Sequence, residues 1–293
     1  MKRRINIPDI VIMLIISFIT VVSLLPILIT FNMSLSDRTS AALGQVVFYP
    51  RNFNLIAYEH LLDDARFFTA FGVSVRRVLL GTALNTLFSI FMAFPLSKDR
   101  KLFPARTVYV WFIVFNMLFH GGIVPTFMLV RNLGLLDTLW ALVLPGAVNV
   151  FNTLILMNFF KGVPRALEES AIIDGARPFR ILWRVYVPLA KACIATITLF
   201  AAVNHWNAFF DGLIYMNSSS KIPLQTYIQS LTVELSMEQM IYMDPEDIVR
   251  RMEVSNLTFN AAKVIISIVP IIAIYPFLQR YFVTGIVLGA VKE

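Results

Sequence analysis

From Ile10 to Phe31 the chain is apolar for about 22 residues, the length an α-helix needs to cross the hydrocarbon of a bilayer. Backbone polar groups find no water there, so such a stretch must close its hydrogen bonds internally as a helix. Five further segments repeat the signal, at about 67–96, 107–130, 139–160, 192–216 and 261–282. The third is interrupted near Gly121, Gly122 and Pro125, and Pro26 is placed to kink the first. A cleaved signal peptide is the competing reading of the first segment. Its apolar core is usually shorter, and no small-residue cleavage site follows directly, so an uncleaved helix is expected. The expected fold class is all-α: one polytopic membrane domain over 1–293 with six transmembrane helices. Composition agrees, with 58% hydrophobic residues, 15% charged residues and a mean hydropathy of +0.73.

Charge orients the spans. Six spans with both termini in the cytoplasm put 1–9, 97–107, 161–191 and 279–293 inside, and 32–66 and 217–260 outside. The inner pieces hold 15 of the 25 Lys and Arg but only 6 of the 18 acids, the sign that the positive-inside rule requires. The net charge of +7 therefore reads as membrane topology rather than nucleic-acid binding. Arg76 and Arg77, at the outer end of the second span, run against the trend.

The inner segment 161–191 is too long and too shaped for a connection, which needs only a few polar residues. Leu167 to Asp174 reads as a short helix with Glu168 and Glu169 in its first turn, where carboxylates suit the helix dipole. Gly175 supplies a left-handed stop, and Pro178 opens a second helix that runs through Phe179, Leu182, Trp183 and Tyr186 to Pro188. A helix, a sharp turn and a helix between two membrane spans imply a docking partner.

Enzyme chemistry is not legible. No zinc or iron site can be read around His60, His120 or His205, and no phosphate-cradling glycine loop is present, so no cofactor is expected on this chain. The single cysteine, Cys193, opens an apolar segment and reads as packing. Polar residues inside spans usually face the bundle interior or a cavity. The candidates are Asn85 and Ser89, Asn116, Asn149 and Asn152, and Asn204, His205, Trp206 and Asn207. They serve either as hydrogen bonds between helices or as the lining of a solute pathway. Arg76 and Arg77 either attract an anionic solute or snorkel to the interface.

Glu169-Ser170-Ala171, three residues, Gly175, nine residues, then Val185-Tyr186-Val187-Pro188 resembles the EAA loop of ATP-binding-cassette (ABC) importer permeases. The family pattern is Glu-Ala-Ala, three residues, Gly, nine residues, Ile, any residue, Leu-Pro. Ser170, Val185 and Val187 depart from it by small changes. Gly121 to Thr126, Arg131 to Thr138, Asn158 to Phe160, and His205-Trp206-Asn207 with Asp211 extend the likeness to permeases for complex oligosaccharides. Within that branch the chain resembles the second permease subunit of bacterial alginate importers, and permeases for pectin-derived oligosaccharides are similar too.

The resemblance implies a permease of the bacterial cytoplasmic (inner) membrane that forms half of a translocation pathway. It implies a homologous second permease, two ATP-binding subunits that carry ATP and Mg, and a solute-binding protein outside. It assigns ATPase coupling to Glu168, Glu169, Ser170, Ala171, Asp174, Gly175 and Pro188, and a C-terminal ATPase contact to Gly289, Ala290, Val291 and Lys292. The alternatives are a secondary transporter or channel without an ATPase, or an ABC permease for pectin-derived or neutral oligosaccharides.

Overall fold

The computed structural model describes residues 7–63, 65–230 and 257–273, and among them every regular element is helical. The chain divides into two compact units, Met1–Ala65 with Ser230–Pro270, and Arg66–Gln229 with Ile271–Glu293.

The first unit opens with α1 (Ile7–Ser34), which contains Pro26. Within Ile10–Ser34 an 18-residue window has a mean hydropathy of 2.9 and holds no buried residue, the character of a helix stretch facing lipid on all sides. The hydroxyls of Thr20, Ser23 and Thr30 each donate to the carbonyl four residues back at 2.8 Å, so they carry no unpaired polarity into the apolar surroundings. Asp37 then caps α2 (Arg38–Ala42) by accepting from the amides of Thr39 and Ser40. The loop folds back on itself, with Asn32 Nδ2 donating to Val47 O at 3.0 Å and the Arg51 amide donating to Ser36 Oγ at 3.0 Å. Tyr58 of α3 (Ile56–Asp63) shares a 2.7 Å bond with Ser34. The expected outer stretch 32–66 is thus an ordered fold with short helices.

The second unit is built on α4 (Ala65–Ser97), whose 33 residues extend about 50 Å at 1.5 Å per residue. There follow α5 (Arg106–Leu118), α6 (Ile123–Asn132), α7 (Leu139–Val143) and α8 (Val150–Lys161). The insert supplies α9 (Arg165–Ile173) and α10 (Pro178–Leu189). Next come α11 (Lys191–Asn207), α12 (Phe210–Tyr215) and α13 (Leu224–Ser230). One apolar core joins Ile90, Ala93 and Leu96 of α4 to Leu156, Met157 and Phe160 of α8, with Ile181 and Tyr186 of α10 and Ile197 of α11. A smaller cluster joins Val130 of α6, Ala141 and Leu142 of α7, and Tyr215 of α12.

Three expected spans are interrupted. In 107–130, α5 and α6 meet at 111°, and Gly122 turns the corner with φ +93°, which glycine adopts without strain. In 139–160, the chain breaks between α7 and α8, and Asn149 caps α8 by accepting from the Asn152 amide. In 192–216, α11 ends at Asn207 and α12 begins at Phe210. Among the described residues, the continuous helices long and apolar enough to cross a bilayer are α1 from Ile10 and α4, and the bent pairs α5–α6 and α10–α11 pass the same test jointly. The last described helix, α14 (Leu257–Ala273), overlaps the expected sixth span. The rest of that span and the C-terminal candidates Gly289, Ala290, Val291 and Lys292 lie outside the described residues.

The second insert helix differs from a plain α-helix. Residues Leu182–Tyr186 form a π turn, closed by the Val187 amide donating to Leu182 O. Pro188 has no amide to offer the carbonyl of Arg184, so the regular ladder fails here and the backbone widens instead. The turn delivers Tyr186 into the core at 4% exposure.

Candidate functional site

The insert has an inner and an outer side. At the end of α9 the Gly175 amide bonds Ile172 O and the Ala176 amide bonds Ala171 O, both at 2.9 Å, with Gly175 at φ +77°. This paired pattern is a Schellman stop, which needs a residue tolerant of the left-handed region. Pro178 stands at the start of α10, as expected. The expected helix start at Leu167 moves two residues earlier, because Pro164 already occupies the cap.

Every residue of α9 is at least partly exposed. Glu169, Ser170 and Asp174 point outward, and beside them lie Leu167, Ile172 and Ile173, the last 86% exposed. Ala171 is half-buried against the core. Glu168 behaves differently from its neighbour. Its carboxylate accepts from Lys98 Nζ at 2.5 Å and from the Tyr186 hydroxyl at 2.6 Å, and Lys98 also bonds Tyr186 Oη at 3.0 Å. Burial pushes Glu168 up, but these two donors outweigh it and hold the carboxyl below its usual range. Burial and the adjacent carboxylate push the Tyr186 phenol up, so it remains a donor at neutral pH. Lys98 is one of the basic residues of the inner piece 97–107, and Tyr186 fills the position the family pattern leaves open. No local signal marked either as a partner of Glu168.

The polar residues of the spans separate into two groups. Asn152 Nδ2 donates to Asn85 Oδ1 at 3.3 Å and to Ile197 O at 3.4 Å, while Asn85 Nδ2 donates to Gly146 O at 3.1 Å. These amides tie α4, α8 and α11 together. His205 is buried against Gly81 of α4, where an added Cβ would lie 2.5 Å from the imidazole. Trp206 is buried with its ring 5.9 Å from that of Phe71. Asn116, Asn204 and Asn207 are exposed.

Arg76 and Arg77 part company. Arg76 is exposed, whereas Arg77 is buried at 2% exposure, ion-paired with Asp211 of α12 and donating to Ala208 O at 3.0 Å. Arg77 therefore neither snorkels nor offers a free charge to a solute. A second acid organises the other loops: Asp137 accepts from the Asn217 and Ser218 amides, the Ser218 hydroxyl and Lys221 Nζ. Lys221 and Ser218 hold its carboxyl well below the usual carboxylate range.

A family model of binding-protein-dependent transport system inner membrane components matches residues 67–287, and the chain belongs to that family. Protein LplC of Bacillus subtilis (strain 168) is 38% identical over 271 residues, which cover 92% of this chain and 90% of that protein. The polygalacturonan/rhamnogalacturonan transport system permease protein YtcP of the same organism is 35% identical over 271 residues, covering 92% and 93%. A solved chain from a bacterial ABC transporter involved in the import of the acidic polysaccharide alginate is 33% identical with a TM-score of 0.82, covering 96% of this chain and 99% of that one. The resemblance read from the insert thus holds along the chain, and the ATPase-independent transporter or channel is set aside. The protein is a non-catalytic ABC importer permease of the inner membrane.

Proposed function

We propose that this chain supplies half of the translocation pathway of an ATP-driven importer of acidic, uronate-built oligosaccharides, and that α9 is where an ATPase subunit drives it. The observation that supports the docking role is the outward face of α9. Ile172 and Ile173 are 55% and 86% exposed on a helix whose two ends are firmly stopped. Exposed apolar side chains grouped beside Glu169 and Asp174 fit an apolar cleft with a basic rim.

In this reading six spans place both termini and α9 in the cytoplasm. A homologous permease completes the pathway, and two ATP-binding subunits below carry the ATP and Mg. A solute-binding protein docks outside, in keeping with the family's binding-protein dependence. Gly289, Ala290, Val291 and Lys292 reach between the ATPase subunits. Closure of the ATPase pair displaces α9, and the permease halves alternate between inward-open and outward-open states as rigid bodies.

The acidic substrate is supported by two relatives, one named for polygalacturonan and one that takes part in alginate import, both polymers of uronates. Among the candidate pathway residues, Arg76 is the exposed cation available to a carboxylate, and Asn116, Asn204 and Asn207 are the exposed amides available to hydroxyls. Glu169→Lys is the test of docking: uptake is lost while the protein still reaches the membrane, and normal uptake would refute the role of α9. Arg76→Gln is the test of substrate class. It weakens uptake of galacturonate or mannuronate oligosaccharides more than that of neutral ones, and equal effects would remove the charge recognition.

A further inference from the structure

We infer that Lys98, Glu168 and Tyr186 form a rigid strut that carries the displacement of α9 into α4, so that Glu168 acts within the chain and Glu169 faces the ATPase. This rests on the reading of α9 as the ATPase-docking helix. The three side chains come from the residue that follows α4, the first turn of α9 and the π turn of α10, and each pair among them is bonded, at 2.5, 2.6 and 3.0 Å. The triangle is closed over by rings. Lys98 Nζ lies 4.1 Å from the ring centroids of both Phe94 and Tyr186, and the edges of Tyr186 pack on Phe94 and Phe160. The side chains of Lys98 and Glu168 are 12% and 16% exposed. With little water to substitute, losing one member leaves each of the other two short of one partner, so the unit behaves as one piece. The nearby Asp99–Arg165 pair is solvated and contributes less.

The strut also has the right ends. α9 packs on the body chiefly through Glu168 and the small side chain of Ala171, which leaves its apolar outer face free for a partner. α4 runs unbroken from Lys98's neighbour Ser97 past Asn85, Gly81 and Arg77, the residues that contact α8, α11 and α12. A push on α9 therefore enters one continuous helix, which holds Pro95 near this end and is joined to three others. Without the strut, α9 would move against α4 and ATP hydrolysis would proceed without import.

The test uses the chain assembled with its permease and ATPase partners in proteoliposomes, with galacturonate and mannuronate oligosaccharides supplied on the binding protein. Three quantities are read: ATPase co-elution, hydrolysis rate and import rate. Lys98→Met and Glu168→Gln should keep the ATPase bound and hydrolysis within about twofold, yet raise the ATP used per sugar imported at least tenfold. Tyr186→Phe, which removes only a hydroxyl, should fall between, and Lys98→Arg should recover most of the coupling. A normal ratio in Lys98→Met would overturn the strut. So would a parallel fall of hydrolysis and import in all variants, Tyr186→Phe included, because that marks a role in folding alone. Loss of the ATPase from Glu168→Gln with retention in Lys98→Met would make Glu168 a docking residue instead. Failure of the unmodified chain to hold an ATPase would refute the docking reading itself and the strut with it.

Discussion

Asp211→Ala should destabilise the chain more than Arg77→Met, although both break the same ion pair. The asymmetry follows from burial: the Arg77 side chain is 3% exposed and that of Asp211 26%. Removing Asp211 strands a guanidinium whose remaining bond is to Ala208 O at 3.0 Å, and whose Nε has no partner among the described residues. Removing Arg77 strands a carboxylate that still accepts the Gly212 amide at 2.9 Å and can reach water. Breaking a buried pair costs about 3–5 kcal/mol. Asp211→Ala belongs at the upper end, and Arg77→Met at about 2–3 kcal/mol because partial exposure relieves the survivor. At about 1.4 kcal/mol per tenfold, the variants differ by one to two powers of ten in folding equilibrium. Arg77→Met with Asp211→Leu strands neither charge and should cost less than Asp211→Ala alone. The assay is unfolding in mixed micelles titrated with a denaturing detergent and followed by circular dichroism. Equal costs, a reversed order or additive effects would refute the reasoning.

Three other outcomes are expected. Asn152→Leu, which strands Asn85 Oδ1 and removes the added bond to Ile197 O, should cost about 1–2 kcal/mol in the same titration, and a neutral result would deny that the amides join the helices. Gly81→Ala, whose Cβ falls on the His205 imidazole, should cost about 1–3 kcal/mol, and His205→Ala in the same chain should recover part of it. Asp137→Asn should expose the Asn217 and Ser218 amides to faster hydrogen exchange. Because the folded Asp137 carboxyl titrates below its ordinary value of 3.8, its contribution is complete above that pH. It fades only as the pH falls through the lower folded value. Exchange at the two amides should therefore show no added opening between pH 7 and pH 5, and an opening that grows across that range would contradict the clamp.

What could be read locally was read from the residues themselves. Apolar length marked α1 and α4, because the helix spanning a bilayer is specified by its own side chains. Gly175 and Pro178 marked the stop and restart of the insert, because caps depend on the backbone preferences of single residues. Gly121, Gly122 and Pro125 marked the break between α5 and α6 for the same reason, though the 111° turn depends on what each helix packs against. The π turn in α10 escaped notice, because Pro188 removes one bond and packing decides how the backbone absorbs the loss.

Composition and apolar spacing therefore determined a polytopic helical membrane protein with a helix-turn-helix insert, and the resemblance carried by that insert pointed to the permease family. Tertiary structure decided which member of each adjacent pair turns inward. Neighbours on a helix point about 100° apart, so Arg77 is buried and Glu168 half-buried while Arg76 and Glu169 are exposed. Their partners stand 134 and 70 residues away in the chain, at Asp211 and Lys98. No periodicity records a contact at that separation. It exists only once α4 lies beside α9 and α12, and there the exclusion of water makes each charge depend on the other.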